Sequence, residues 1–211
     1  EQELTQFGVE LKDEFSHPYS QNHDDWNESY FFDWYTEDGS AAGHCRIGWH
    51  PVQQRILFWL HLWNGSEWLL IEENRLPFSA LKLGAENVFS CDQWGLKFSY
   101  DSLFPLQSGR LQIEGFARVV HGPRQGMILP VNLTLEVKAL GAAYSRGAGS
   151  VEGHSAQGFS TNRYEQPIQA FGQMAIDGCA TELAVRGERD HSWGPRPWDM
   201  NWQFFVVNNE Q

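Results

Sequence analysis

Between Arg189 and Trp198 the chain reads Arg-Asp-His-Ser-Trp-Gly-Pro-Arg-Pro-Trp, gathering a carboxylate, an imidazole, a hydroxyl, two guanidiniums and two indoles. Such a set suits acid–base chemistry in a polar site whose charged groups are held against aromatic faces. A carboxylic acid kept neutral by burial can be the proton donor. Asp190 is the first candidate, with His191 as the base that orients a carboxylate or a water. Glu165 is the second, with Tyr164 beside it as a relay. Trp193, Trp198, Trp202 and Arg196 would line the bound molecule. Two blander readings stand beside this one. Arg189 or Arg196 paired to Asp190 would keep the acid ionised and make the motif a structural clamp. Asp and Ser are also ordinary turn residues, so the segment could be a corner whose indoles only fill a core.

The elements that must position these residues read as strands. Tyr30, Phe32 and Trp34 alternate with Phe31, Asp33 and Tyr35, and Cys45, Ile47 and Trp49 with His44, Arg46 and His50. Residues 56–63 follow, apolar on both faces except His61. Asn64-Gly65 is then a hairpin signal, with 68–71 as the return strand. Trp94 to Tyr100 and Val131 to Val137 alternate cleanly, and 111–120 and 169–176 are further candidates. Residues 202–207 read as a last strand. Nothing keeps helical periodicity for long, so the expected fold is all-β, an antiparallel barrel or sandwich. In a barrel, Trp34 and Trp59 would face an apolar interior and join the binding residues. Residues 141–163 change to Gly, Ala and Ser, as a lid or linker would. The expected organisation is a first β domain over 1–140, that linker, and the beginning of a second β domain over 164–211. The residues after 164 would either complete the first sheet or need a second copy or another chain to close their own.

Composition excludes several classes. Of 211 residues, 41% are hydrophobic and 20% charged, the balance of a folded globular chain. Ten Trp and 14 Phe favour strands and an aromatic-lined site. A formal net charge of −12 and the absence of basic runs argue against nucleic acid. No apolar run approaches the roughly 18 residues of a membrane span, and no secretory h-region opens the chain. Cys45, Cys91 and Cys179 are odd in number and far apart, which fits reduced thiols and a cytoplasmic location rather than a disulfide framework. His44, His50 and His61 lie on neighbouring strands, but their registers do not favour one metal site. No metal and no cofactor is expected.

Asp190-His191-Ser192-Trp193-Gly194, with Trp202 a few residues on, resembles the Asp-His-x-Trp-Gly signature of the AttH-like, carotenoid 1,2-hydratase superfamily. Residues 25–33, Asp-Trp-Asn-Glu-Ser-Tyr-Phe-Phe-Asp, are similar to the opening strand of its tocopherol-cyclase-like branch, and Tyr164-Glu165-Gln166 also fits that branch. The resemblance implies a calycin, lipocalin-like β-barrel fold, two such domains in intact members, and chemistry on large apolar molecules. The expected function is therefore binding of a terpenoid, steroid or polyketide-like molecule and cofactor-free action on it as a hydro-lyase, isomerase or cyclase. One alternative is a non-catalytic binding protein of the same fold. Another is a carbohydrate-binding sandwich, which would need several indoles on an open face, whereas Trp34, Trp49, Trp59 and Trp94 sit among other large apolar residues.

Overall fold

The computed structural model describes residues 8–84, 87–145 and 162–196. Trp198, Trp202, the expected strand over 202–207 and most of the Gly/Ser stretch lie outside the described residues. The strands are β1 (Trp26–Tyr35), β2 (Ala42–His50), β3 (Arg55–Trp63), β4 (Trp68–Pro77), β5 (Lys82–Leu83) and β6 (Asn87–Gln93). They continue as β7 (Leu96–Phe104), β8 (Ser108–His121), β9 (Ile128–Ala139), β10 (Tyr144–Ser145), β11 (Asn162–Ile176) and β12 (Cys179–Pro195). Among the described residues, only short 3-10 turns, Leu11–Glu14 and Phe78–Ala80, accompany them. Among the described residues no helix is long and apolar enough to cross a membrane.

All the strands join one sheet, and part of it closes on itself. β9, β11, β12, β1, β2, β3, β4 and β8 pair in succession, and β8 pairs with β9 to complete the ring. The fold is thus the expected all-β, lipocalin-like kind. β8 serves two neighbours on one side. Its first half pairs with β7 and its last residues with β4, so β5, β6 and β7 branch from the ring at that fork. β11 and β12 hydrogen-bond into the same sheet as β1 and β9.

Turn chemistry sets the registers. A two-residue hairpin with a type I′ turn needs left-handed conformations at both central positions. Asp177 and Gly178 supply them, with φ of 53° and 78°, and join β11 to β12. Trp94 and Gly95, with φ of 56° and 80°, do the same between β6 and β7. That turn leaves Trp94 65% exposed, so the expectation that it sits among apolar neighbours is corrected. The Asp177-Gly178 register places Tyr164 opposite His191 and Glu165 opposite Asp190.

The core lies on the ring's inward side. Tyr30, Phe32 and Trp34 of β1, Cys45, Ile47 and Trp49 of β2, and the inward residues of β8, β9 and β11 pack into one buried cluster. Burying side chains of this size contributes about 1.5–3 kcal/mol each. The segment before β1 lies against this cluster: Phe15 packs on it, and the Tyr30 hydroxyl donates to the Glu14 carbonyl at 2.7 Å.

Candidate functional site

Period two along a strand sends neighbouring residues to opposite faces. On β12 this separates the motif into two sets. His191, Trp193 and Arg189 face inward with Tyr30, Glu28 and Phe32, their partners on β1. Asp190 and Ser192 face outward, opposite Phe31 and Ser29, and the Ser192 and Ser29 hydroxyls hydrogen-bond at 3.0 Å. The sequence-expected acid and base therefore do not share a site. Tyr164 goes with His191, their rings meeting edge to face, whereas Glu165 goes with Asp190.

The inward set is built around Glu28, 1% exposed. Its Oε1 lies 3.0 Å from His17 Nδ1 and 3.1 Å from His191 Nε2, and the His17 backbone N–H donates to the same carboxylate at 2.9 Å. Burial pushes the Glu28 carboxyl up, but the hydrogen bonds from His17 and His191 outweigh it and hold it below its usual range. His191 Nδ1 sits 2.7 Å from the Asp13 carbonyl. Because a carbonyl only accepts, Nδ1 carries a proton, and Nε2 is aimed at Glu28. Aromatic rings fix both imidazoles. Tyr30 stacks on His191 with centroids 3.9 Å apart, and Trp193 stacks on His17 at 3.9 Å with planes 4° apart. Burial lifts the Tyr164 hydroxyl well above its ordinary pKa, and that hydroxyl has no partner among the described residues.

Next to this centre the Arg189 guanidinium grips the fully buried Glu14 through two hydrogen bonds of 2.8 and 2.9 Å. It also donates to Tyr100 Oη at 2.6 Å and Gln166 Oε1 at 2.9 Å. The 3-10 turn carrying Glu14 is thereby fastened to β7, β11 and β12. Arg189 does not pair with Asp190, as one sequence reading required.

On the outward side the partner of Asp190 is Arg163, at 2.9 Å, and the same guanidinium nitrogen lies 2.9 Å from Glu165. Burial raises the Asp190 carboxyl above its usual range, against the pull of Arg163 and Arg46. Arg46, nearly buried, donates to Asn27 Oδ1 at 3.0 Å and lies 5.1 Å from the Trp59 ring centroid. Arg196 is buried on this side, which lowers its guanidinium pKa against the pull of Asp190, and its backbone N–H donates to the Asp25 carbonyl. Asp33 and Glu188 complete a belt of carboxylates there, with Asp33 Oδ1 accepting the Glu188 N–H at 2.7 Å.

Trp34 and Trp59 do not line one pocket. Trp34 is 2% exposed and packed in the inward core, while Trp59 is on the outer side with its indole N–H on Asn74. His44 and His61 stack at 4.2 Å across β2 and β3, and His50 faces Arg55 instead. Sequence reasoning missed Glu14, His17, Glu28, Arg46 and Arg163. For Glu28 a signal existed: it continues the inward series Trp34, Phe32, Tyr30, where a carboxylate has no ordinary reason to lie.

Residues 10–210 match the family described as a domain of unknown function, DUF7064. The chain belongs to that family. No curated protein matches it in sequence. Its fold is similar to that of a solved structure of CghA with Sch210972, at a TM-score of 0.51 and 16% identity, covering 83% of this chain and 47% of that one. It is equally similar, at 0.51 and 13% identity, to a putative AttH from Nitrosomonas europaea, covering 92% and 58%. This DUF7064 chain spans about half the length of those structures. At such identities the likeness is one of fold.

Proposed function

We propose that this DUF7064 chain binds an apolar molecule, terpenoid, steroid or polyketide-like, against Trp193, and acts on it as a hydro-lyase, isomerase or cyclase at the side chains converging on Glu28. The observation that carries the reading is the buried carboxylate with two imidazoles on one oxygen, roofed by the Trp193–His17 stack. An indole beside a charged, water-poor centre is the environment such chemistry needs. His17 and Trp193 are only half-buried, so the centre has a side open to a ligand. The fold likeness to CghA, solved with Sch210972, and to a putative AttH supports placement in the AttH-like superfamily; its tocopherol-cyclase-like branch rests on the resemblance of residues 25–33 and 164–166. The free thiols Cys45, Cys91 and Cys179 support a cytoplasmic location.

On this reading Asp190, Glu165 and Arg163 hold β11 to β12 from the outer side, and Tyr164, His191 and Glu28 face the substrate. The rival reading, a binding protein without catalysis, draws on the Arg163–Asp190 pair, which makes the motif a clamp. Titration with the apolar dye 1-anilinonaphthalene-8-sulfonate tests the binding step. Trp193→Ala should weaken the dye at least about tenfold, some 1.4 kcal/mol, while Trp59→Ala leaves it unchanged. Equal affinities in wild type and Trp193→Ala would remove Trp193 from the site.

A further inference from the structure

His191 carries a proton on Nδ1, where the Asp13 carbonyl receives it at 2.7 Å. Nε2 of the same ring points at Glu28 Oε1, 3.1 Å away. His17 brings a second nitrogen to the same oxygen, at 3.0 Å.

We propose that His17 Nδ1, His191 Nε2 and a Glu28 carboxylate oxygen form a binding site for one divalent transition-metal ion of the zinc class. These atoms all lie within 4.8 Å of one another. Ligands at about 2.0–2.2 Å from such an ion stand about 3.0–3.5 Å apart on adjacent corners of a tetrahedral or octahedral shell, which the two nitrogen–oxygen separations match. Two imidazoles and one carboxylate suit a borderline ion and leave positions for water or substrate; a set with two nitrogens is a poor cage for magnesium or calcium.

The surroundings are those of a built site. A metal-bound imidazole commonly hands its other N–H to a backbone carbonyl, as His191 does to Asp13. His17 Nε2 lies 3.5 Å from Asp13 Oδ1, and its backbone N–H holds the Glu28 carboxylate in place. Stacking on Trp193 and Tyr30 locks both rings before any ion arrives. The His17 side chain is 16% exposed, which gives an ion a way in.

The inference rests on the reading that this cluster is the functional centre, but its test needs no substrate. Untagged protein is stripped with a chelator, dialysed and titrated with Zn²⁺ alone by calorimetry, with metal content read by mass spectrometry. One Zn²⁺ per chain should bind, the melting temperature should rise with added Zn²⁺, and Co²⁺ in its place should give visible ligand-field bands. His17→Gln removes a ligand from a half-exposed segment and should fold, as circular dichroism will check. It should lower Zn²⁺ affinity at least tenfold and alter the Co²⁺ bands, and His191→Gln should do the same. Absence of stoichiometric Zn²⁺ binding by wild-type protein, or affinity unchanged in His17→Gln, overturns the site. Loss of dye binding in Trp193→Ala together with no Zn²⁺ binding would keep the proposed function and discard the metal. Zn²⁺ binding lost in His17→Gln, with dye binding indifferent to Trp193, would do the reverse.

Discussion

Arg189→Met is the sharpest test of how the segment before β1 is held. The substitution keeps an unbranched side chain of similar reach and removes the guanidinium. Glu14, with no exposed surface, loses its bonds of 2.8 and 2.9 Å and keeps the Leu106 N–H at 2.9 Å. Tyr100 and Gln166 each lose a charged donor as well. Removing one partner of a buried ion pair costs about 3–5 kcal/mol, because the other charge stays in a medium that cannot solvate it. For a chain of this size that is a fall in melting temperature of about 2–4 °C per kcal/mol, or roughly 6–20 °C. Urea unfolding of wild type, Arg189→Met, Glu14→Gln and the double variant measures both the cost and the coupling. The double variant should be more stable than the sum of the singles predicts by about 1–3 kcal/mol, since it leaves no orphan charge. Hydrogen exchange should show the Leu106 amide opening first in the single variants. A cost under about 1 kcal/mol for Arg189→Met, or strict additivity, would refute the claim that this pair fastens the turn to the sheet.

A second prediction concerns pH. Burial, with the Glu165 and Asp33 carboxylates, lifts Glu188 to about 7, and burial lifts Asp33 to about 6. Folded pKa values above the unfolded ones mean that the native state binds more protons from about pH 4 to 7, so this stability is lost as pH rises through that window. His44, lowered to about 4 chiefly by burial, works the other way and loses stability as pH falls below about 6.5. Glu188→Gln should therefore stabilise the protein near pH 7 by about 1–3 kcal/mol relative to wild type and by little near pH 4; an equal effect at both would dismiss the shift. In Gly172 an added Cβ would land on the Thr134 carbonyl oxygen of β9. Gly172→Ala should cost about 1–3 kcal/mol or more by urea midpoint, whereas Gly141→Ala, whose Cβ meets only Pro167 at 3.4 Å, should cost far less.

Much of the sheet was legible because period two survives in the text. Tyr30-Phe32-Trp34, Cys45-Ile47-Trp49 and the run from Val131 to Val137 all point inward as alternation demands. Asn64-Gly65 marked its turn, and Gly65 has the positive φ expected there. The same alternation, applied to β12, would have parted Asp190 from His191; reading the segment as a corner, with Asp and Ser as turn residues, hid the strand that runs to Pro195. The partners of the motif had no local signal. His17 and Glu14 come from a stretch with no periodicity, His17 174 residues before His191 and Glu14 175 before Arg189, and only ring closure brings them in. Arg163 is clearer in hindsight, since the Asp177-Gly178 register puts it diagonally across from Asp190.

Pairing β1 with β12 has a consequence for how the chain is made. Ser29 and Ser192, bonded across that seam, stand 163 residues apart. At about 5–20 residues per second, β12 leaves the ribosome roughly 8–30 seconds after β1. For that interval β1 has β2 on one side and nothing on the other, and Glu28 has no His191. An unsatisfied strand edge recruits whatever strand comes near, including β1 of another nascent copy. Seconds-long vacancy at this seam makes the hairpin turn at Asp177-Gly178 the step on which yield depends: the faster β11 and β12 zip together, the sooner the open edge is gone.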